Sequence, residues 1–146
     1  MILTTAALRS LCSLDLNSIE LGVTGLVSLL EGPDVSRLRT LELCGNDLGD
    51  EGCRVLASCP RLANLRILWL SSNHIGDGGA VAFAGSPNLE SLFGLHLYNN
   101  AIADVGAQAL ADSTTLTRLR TVDLRHNQVG SASFALRRRF DSQSMW

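Results

Sequence analysis

Residues 65–79 read LRILWLSSNHIGDGG, and the order of leucine, asparagine, aspartate and glycine in this stretch recurs along the whole chain. Repeats of this spacing begin at residues 11, 38, 65, 92 and 119, so neighbouring repeats start 27 residues apart with no insertion between them. A strict period of this length predicts a solenoid, in which each unit buries its apolar face against the units beside it. We therefore expect one continuous domain over residues 1–146.

The repeats also share a leucine signature. Three of them read LRTLELCGNDLGDEG from residue 38, LFGLHLYNNAIADVG from residue 92 and LRTVDLRHNQVGSAS from residue 119. The pattern L-x-x-L-x-L-x-x-N-x-L is typical of leucine-rich repeats, and the tail of each unit resembles the ribonuclease-inhibitor-like class of that family. The resemblance implies an α/β fold: a right-handed solenoid bent into a horseshoe arc from five 27-residue β-α repeats. The parallel sheet would line the concave face and the helices the convex face.

The first unit, LCSLDLNSIELGVTG from residue 11, departs from the pattern. Ile19 replaces the asparagine and Val23 replaces the aspartate, and neither residue makes the polar cap that a terminal repeat needs against water. We expect this end to be covered by residues 1–10 (a partial N-terminal repeat or cap), by a partner, or by further sequence. Residues 141–146 read as a loose tail.

Composition excludes several classes of function. The net charge of −2 predicts no electrostatic attraction to nucleic acid or anionic membranes. The chain has no 18-residue apolar run and no signal peptide pattern at its start. Its four cysteines show no C-x-x-C pairing, which favours reduced thiols in a cytoplasmic protein over a disulfide frame or a metal site. We expect no metal and no cofactor.

Each repeat has the same predicted parts. Short parallel strands are expected at 13–17, 40–44, 67–71, 94–98 and 121–125. The asparagines that follow should form a buried, hydrogen-bonded ladder: Asn46, Asn73, Asn100 and Asn127. Asp50, Asp77, Asp104 and Ser131 are predicted N-caps of the helices on the opposite side. The glycines two residues after the aspartates indicate close packing of helix on strand. In the last unit, Arg137 occupies the core position of Leu110 in the period.

Equivalent positions of parallel strands lie side by side, about 4.8 Å apart. The outward residues should therefore form two rows: Asp15, Glu42, Trp69, His96 and Asp123 in the first, and Asn17, Cys44, Ser71, Tyr98 and Arg125 in the second. The family resemblance implies that such rows bind protein partners on the concave face. Aromatic side chains flanked by charged ones are typical of interface hot spots. We predict a non-catalytic protein-binding site formed by Asp15, Glu42, Trp69, His96, Tyr98, Asp123 and Arg125.

Alternatives remain open at this point. These side chains could merely cover a solvated sheet. The N-terminal edge could dock onto a second copy or a larger assembly, which would make the chain a structural subunit or a fragment of a longer repeat protein. A remote alternative is a hydrolase that uses Ser71, His96 and Asp123. Arg39, Arg66 and Arg120 form a further row before the strands; it could bind an acidic partner, or pair with Glu42 and Asp123.

Overall fold

The computed structural model describes residues 11–32 and 34–140. The partial repeat expected at residues 1–10 and the tail expected at 141–146 lie outside the described residues. The strands are β1 Ser13–Asp15, β2 Thr40–Glu42, β3 Ile67–Trp69, β4 Gly94–His96 and β5 Thr121–Asp123. The α-helices are α1 Gly22–Glu31, α2 Gly49–Ala57, α3 Asp77–Ala84, α4 Asp104–Asp112 and α5 Ser133–Arg139.

The five strands form one parallel sheet in the order β1-β2-β3-β4-β5. Each residue pairs with the equivalent residue of the next repeat, so Leu41 lies opposite Leu68 and Leu68 lies opposite Leu95. The predicted α/β solenoid is confirmed. The strands end two residues earlier than expected because the regular ladder gives way to the asparagine turns. Single backbone hydrogen bonds continue past that point, as from Leu43 N to the Trp69 oxygen (2.9 Å).

One apolar cluster fills the space between the sheet and the helices. The strands contribute their central residues, Leu14, Leu41, Leu68, Leu95 and Val122, and the helices contribute Leu26, Leu56, Phe83, Leu110 and Leu136. Full burial of such a side chain stabilises the fold by about 1.5–3 kcal/mol. Because side chains alternate along a strand, the neighbours of these buried residues point away from the helices. That outward side of the sheet is called the sheet face below.

The hydrogen bonds of the predicted asparagine ladder are confirmed, and Asn46 and Asn73 are buried as expected, whereas Asn100 and Asn127 are half-buried. Asn73 is fully buried, and its Oδ1 accepts hydrogen bonds from the backbone N–H groups of Asn46 (3.0 Å) and Leu48 (3.2 Å). Its Nδ2 donates to the Leu43 oxygen at 2.8 Å. Asn46, Asn100 and Asn127 make the same kind of link to the repeat before them. Each amide therefore satisfies backbone groups that the sheet leaves unpaired.

The prediction that each aspartate caps its own helix is wrong. Asp77 is itself the first residue of α3, and its Oδ1 accepts hydrogen bonds from the backbone N–H groups of Ala103 and Gly106, both at 2.8 Å. Asp50 accepts one from Gly76 N at 2.7 Å. Because the aspartate lies inside its helix rather than before it, the free N–H groups within its reach belong to the next repeat. Each aspartate thus caps the following helix.

Two of the glycines that follow these aspartates, Gly79 and Gly106, make room between helices rather than between helix and strand, whereas a Cβ on Gly52 would meet only Leu48 at the start of its own helix. A Cβ on Gly106 would lie 2.6 Å from Asp77 Oδ1 and 2.9 Å from the Ala80 Cβ, both of which belong to the preceding helix. A Cβ on Gly79 would lie 2.9 Å from Cys53 Sγ, also in the preceding helix. The expected helix–strand contact is therefore replaced by close helix–helix packing.

The carboxyl ends of the helices are capped from the following repeat as well. The Ser86 hydroxyl donates to the Ala57 oxygen, and the Ser113 hydroxyl donates to the Ala84 oxygen, both at 2.6 Å. Arg139 reaches back to the Ala111 oxygen at 2.8 Å. These bonds satisfy carbonyl groups that a helix end leaves without partners. Neighbouring repeats therefore hold one another at both helix ends.

The 27-residue period aligns Arg137 with the core position of Leu110, but α5 is offset from that period by one residue. Leu136 is fully buried in that place, and Arg137 is exposed. The buried leucine comes one residue earlier than the 27-residue period predicts, so α5 presents a different residue to the core. Burial of an unpaired guanidinium would be costly, and this offset avoids it.

Among the helices of residues 11–32 and 34–140, none combines the length and the apolar character that a membrane span requires.

Candidate functional site

The first predicted row lies where the sequence places it. Asp15 lies opposite Glu42, Glu42 opposite Trp69, Trp69 opposite His96, and His96 opposite Asp123. These pairings put the five side chains on one face of the sheet, at successive strands. The geometric part of the prediction therefore holds.

Trp69 and His96 form the centre of the row. Their rings are stacked with centroids 3.7 Å apart and planes 8° from parallel. Trp69 stays 36% exposed, so the stack presents an apolar surface to solvent. Partial burial of the imidazole lowers the pKa of His96 below its ordinary value, although the nearby Asp123 carboxylate opposes that change. The neutral ring is thus favoured in the stack.

Tyr98 extends the aromatic surface to the second row. Its ring is 36% exposed and lies 4.8 Å from the His126 ring, tilted by 59°. The Arg125 guanidinium lies over the same ring, 5.7 Å from its centroid, within the range of a cation–π contact. The contact with His126 was not foreseen from the sequence.

Asp123 differs from its expected exposed state. It is only 8% exposed because Arg125 folds over it, with Nε to Oδ1 at 3.0 Å and Nη2 to Oδ2 at 2.7 Å. Burial raises the pKa of Asp123, but the hydrogen bonds from the Arg125 side chain and backbone outweigh it and hold the pKa below its ordinary value. This ion pair could have been predicted from the sequence, because Asp123 and Arg125 have opposite charges and lie two residues apart on one face of a strand.

The N-terminal part of the sheet face is acidic rather than aromatic. Glu42 accepts a hydrogen bond from Asn17 Nδ2 at 3.0 Å, and the Asp15 carboxylate accepts one from the backbone of Asn17 at 2.9 Å. The sheet face therefore runs from carboxylates on β1 and β2, through the aromatic stack on β3 and β4, to the Asp123–Arg125 pair at β5. All seven predicted site residues lie on this face.

The arrangement gives no support to the remote hydrolase. In a catalytic triad the serine hydroxyl bonds to the histidine, and the aspartate orients the histidine. Here the His96 ring is stacked on Trp69, while the Asp123 carboxylate is held by Arg125. Within the described residues, neither a Ser71–His96 nor a His96–Asp123 hydrogen bond is formed. The three side chains share a face without forming a relay.

The arginine row before the strands forms a separate feature. The oxygens of Arg39, Arg66 and Phe93 each accept a backbone N–H from the equivalent residue of the next repeat, at 2.7–2.9 Å. An open cleft of about 460 Å³ lies on this row, named here the arginine cleft: Arg66, Ile67, Ser91, Phe93, Arg118 and Arg120. Asp123 pairs with Arg125, and Glu42 bonds Asn17, so the expected pairing of these carboxylates with Arg39 or Arg66 does not occur.

Nothing in the described residues provides a metal site, since no group of three or more His, Cys, Asp or Glu side chains gathers there. All four cysteines are free. Cys53 is completely buried, and this burial raises the pKa of its thiol well above the ordinary value. A thiol held protonated in this way is neither a ready metal ligand nor a nucleophile.

With the fold and the sheet face described, sequence comparison identifies the family. A sequence-family model described as Leucine Rich repeat matches residues 37–57, 61–84, 94–111 and 113–133, more than half of the chain. The chain belongs to the leucine-rich repeat family. The matched segments cover the repeats that begin at residues 38, 65, 92 and 119 over most of their length. No curated protein sequence matches the chain.

One of two similar solved structures shares the architecture of this leucine-rich repeat protein. A chain in the crystal structure of a TLR13-ssRNA13 complex aligns with a TM-score of 0.63 and 22% identity, covering 98% of this chain and 20% of that chain. An internalin (inlF) from Listeria monocytogenes aligns with a TM-score of 0.37 and 20% identity, covering 96% of this chain and 48% of that chain. The first likeness shows the fold alone, and the chain spans only about a fifth of that protein's chain.

Proposed function

We propose that this leucine-rich repeat protein is a non-catalytic interaction module that binds a protein partner through its sheet face. The observation that carries the proposal is the stacked pair of Trp69 and His96 beside Tyr98, exposed on a face where the fold gives aromatic side chains no packing role. We assign it to the ribonuclease-inhibitor-like class on its 27-residue units, each of which contains an α-helix.

The chemistry of the face favours a protein over a nucleic acid. Tryptophan, tyrosine and arginine are the residue types enriched in interface hot spots. Carboxylates at Asp15 and Glu42 lie on the same face, where they would repel phosphates. The net charge of −2 adds no attraction for a polyanion. A partner surface with apolar and mixed polar groups fits this face best.

Preorganisation supports the same proposal. The stack fixes Trp69 and His96, and the two-point ion pair fixes Arg125 against Asp123. Side chains that are already ordered lose less conformational entropy on binding, which costs about 0.5–1.5 kcal/mol for each flexible side chain immobilised. The face therefore offers a partner a surface that needs little rearrangement.

The experiment is a pull-down from native lysate, with quantified capture by the full chain and by Trp69→Ala/Tyr98→Ala. We expect the double variant to weaken capture by at least about 2 kcal/mol, or about 30-fold in affinity. Phe134→Ala is the matched control, because Phe134 is an aromatic residue of α5 that is 69% exposed on the opposite side of the fold. Its capture should equal wild type.

Capture that is unchanged in the double variant, with both variants folded by circular dichroism, would contradict the sheet face as the binding surface. Equal weakening by Phe134→Ala would point to the helical side instead. The experiment compares the amounts captured by the variants, so it does not require the identity of the partner.

A second candidate is docking through the N-terminal edge. β1 is the outermost of the described strands, and Ile19 beside it is 52% exposed. An edge strand with exposed apolar residues is a template for pairing with another chain. Light scattering over a range of concentrations tests self-association: a mass that rises with concentration would support it, and a constant monomer mass would exclude it.

We place the protein in the cytoplasm, with no cofactor, no membrane contact and no enzymatic activity. Four free cysteines support a reducing compartment, and the open sheet face without a serine–histidine relay supports a binding role over a catalytic one.

A further inference from the structure

The arginine cleft adjoins the aromatic centre of the sheet face, because its Ile67 lies on the same side of β3 as Trp69, but the cleft carries its own chemistry. Three arginines, Arg66, Arg118 and Arg120, line this cleft together with the exposed Phe93. The Ser91 hydroxyl and the Ile67 side chain complete the lining, which contains no carboxylate. A chain with a net negative charge thus concentrates positive charge around one apolar surface.

The sheet sets the spacing of this cleft. Arg66, Phe93 and Arg120 occupy the same position in successive repeats, and the Arg66 oxygen accepts from Phe93 N at 2.7 Å, as the Phe93 oxygen does from Arg120 N at 2.9 Å. With strands about 4.8 Å apart, the two arginines leave the backbone about 10 Å from each other, with the phenyl ring between them. Arginine–phenylalanine–arginine is therefore a fixed arrangement.

Phe93 interrupts a row that is otherwise basic. The equivalent residues of the neighbouring repeats are Arg39, Arg66 and Arg120. Phe93 is 52% exposed, so it contributes little to the core. Within the described residues, the guanidinium groups of Arg66 and Arg118 form no ion pair and no hydrogen bond. The cleft thus combines exposed apolar surface with the guanidinium groups of Arg66 and Arg118, which have no partner among the described residues.

We propose that the arginine cleft binds a short acidic segment of a polypeptide, with carboxylates on the arginines and an apolar side chain on Phe93. Arginine forms its strongest hydrogen bonds with carboxylates, in two-point geometry. The proposal goes beyond the aromatic sheet face, because the lining includes neither Trp69 nor Tyr98.

The size and charge of the cleft favour a peptide over a nucleic acid. About 460 Å³ accommodates a few residues. A polynucleotide gains affinity from phosphate contacts spread along its length, whereas beyond this cleft it would meet the carboxylates of Glu42 and Asp15 on the same sheet. Two carboxylates match the guanidinium groups of Arg66 and Arg118.

The test is binding of two synthetic peptides to the full chain by fluorescence anisotropy at low salt. One is a labelled acidic peptide, Asp-Glu-Leu-Glu-Asp with blocked ends, and the other is its neutral counterpart, Asn-Gln-Leu-Gln-Asn. We expect the acidic peptide to bind at least about tenfold more tightly than the neutral one. Arg66→Gln/Arg118→Gln should reduce that binding about tenfold or more.

Arg137→Gln/Arg138→Gln is the matched control, since it removes the same charge from two exposed arginines of α5. Equal loss in this control would show a net-charge effect and overturn the site. Equal binding of the acidic and neutral peptides would also overturn it. Tighter binding of a labelled single-stranded oligonucleotide than of the acidic peptide, lost in Arg66→Gln/Arg118→Gln, would replace the peptide assignment with a nucleic-acid one.

The aromatic variant Trp69→Ala/Tyr98→Ala separates this proposal from the proposed function. Retained peptide binding there, with lost partner capture, supports two sites. Lost peptide binding in that variant would overturn the cleft as a separate site.

Discussion

The contact between α1 and α2 differs from the contact between α3 and α4 in how neighbouring helices hold each other. Asp77 in α3 accepts two backbone N–H groups from the start of α4, and Ser113 caps the end of α3. Val23 stands at the equivalent place in α1, so no carboxylate reaches α2 from that position. The first pair of helices also contact each other much less extensively than the third pair.

The difference shows that similar leucine cores do not couple repeats equally. Every pair of neighbours shares a leucine core, but the polar link at the start of each helix depends on one aspartate in the preceding unit. At the C-terminal end the coupling is strong, since Asp104 binds the start of α5 and Arg139 binds the end of α4. Because a solenoid is held by nearest-neighbour contacts, we expect stability to fall toward the N-terminal repeat.

The largest expected effect is in the asparagine ladder. Asn73→Ala should lower the free energy of unfolding by about 3 kcal/mol. The buried backbone groups that Asn73 now bonds would be left without hydrogen-bond partners. Asn127→Ala should cost only about 1 kcal/mol, because Asn127 is half-buried and water replaces part of what is lost. Urea denaturation of both variants measures the difference. Equal costs would show that burial does not set the strength of the ladder.

The aspartate bridge gives the next effect. Asp77→Ala should destabilise the fold by about 1–2 kcal/mol, since the start of α4 loses its cap. Val23→Asp should supply the missing carboxylate to α2 and stabilise by about 0.5 kcal/mol. Thermal melts measure the change in overall stability of each variant. Hydrogen exchange of the α1 and α2 amides shows whether the change is localised to these helices.

Asp47→Asn is the control for that pair, because it removes a charge whose ion pair with His74 is exposed to solvent, and asparagine tolerates the left-handed backbone of residue 47 (φ 54°). Its melt should match wild type within about 0.5 kcal/mol. Faster exchange in α3 than in α1 of the wild-type chain would contradict the proposed gradient.

The smallest effect concerns pH at the C-terminal link. A hydrogen bond from the Ser131 hydroxyl, followed by those from the Gly130 and Ala132 backbone, lowers the pKa of Asp104 from 3.8 to about 2. Between these values the unfolded chain binds more protons than the folded chain, so this part of the stability is lost as the pH falls through that window. Asp104→Asn should show a smaller loss between about pH 5 and about pH 2.5 in urea unfolding. An identical pH dependence in both proteins would refute the assignment.

Sequence reasoning foresaw the features that depend on period alone. The 27-residue spacing predicted which residues pair across the sheet, which leucines are buried, and that Asn46, Asn73, Asn100 and Asn127 form a ladder. It also placed Trp69 next to His96. These predictions succeed because parallel strands in register carry equivalent residues to equivalent places.

The 27-residue period could not predict which of several nearby groups a long or polar side chain contacts. Asp77 was assigned to its own helix, although the free N–H groups it binds belong to the next one. Asp123 was expected to be exposed, although Arg125 covers it. In each case the sequence offered two partners at plausible spacing, and only the packing distance between repeats selected one of them.

The sequence by itself therefore determined the repeat, the sheet register and the residues of the outward row, because periodicity fixes which positions are equivalent. Only the tertiary structure decided which repeat each aspartate caps, why Leu136 rather than Arg137 enters the core, and that Arg66, Phe93 and Arg118 share one cleft. Those outcomes depend on helix offset and interhelix distance, which are set by the volume and shape of packed side chains rather than by their order.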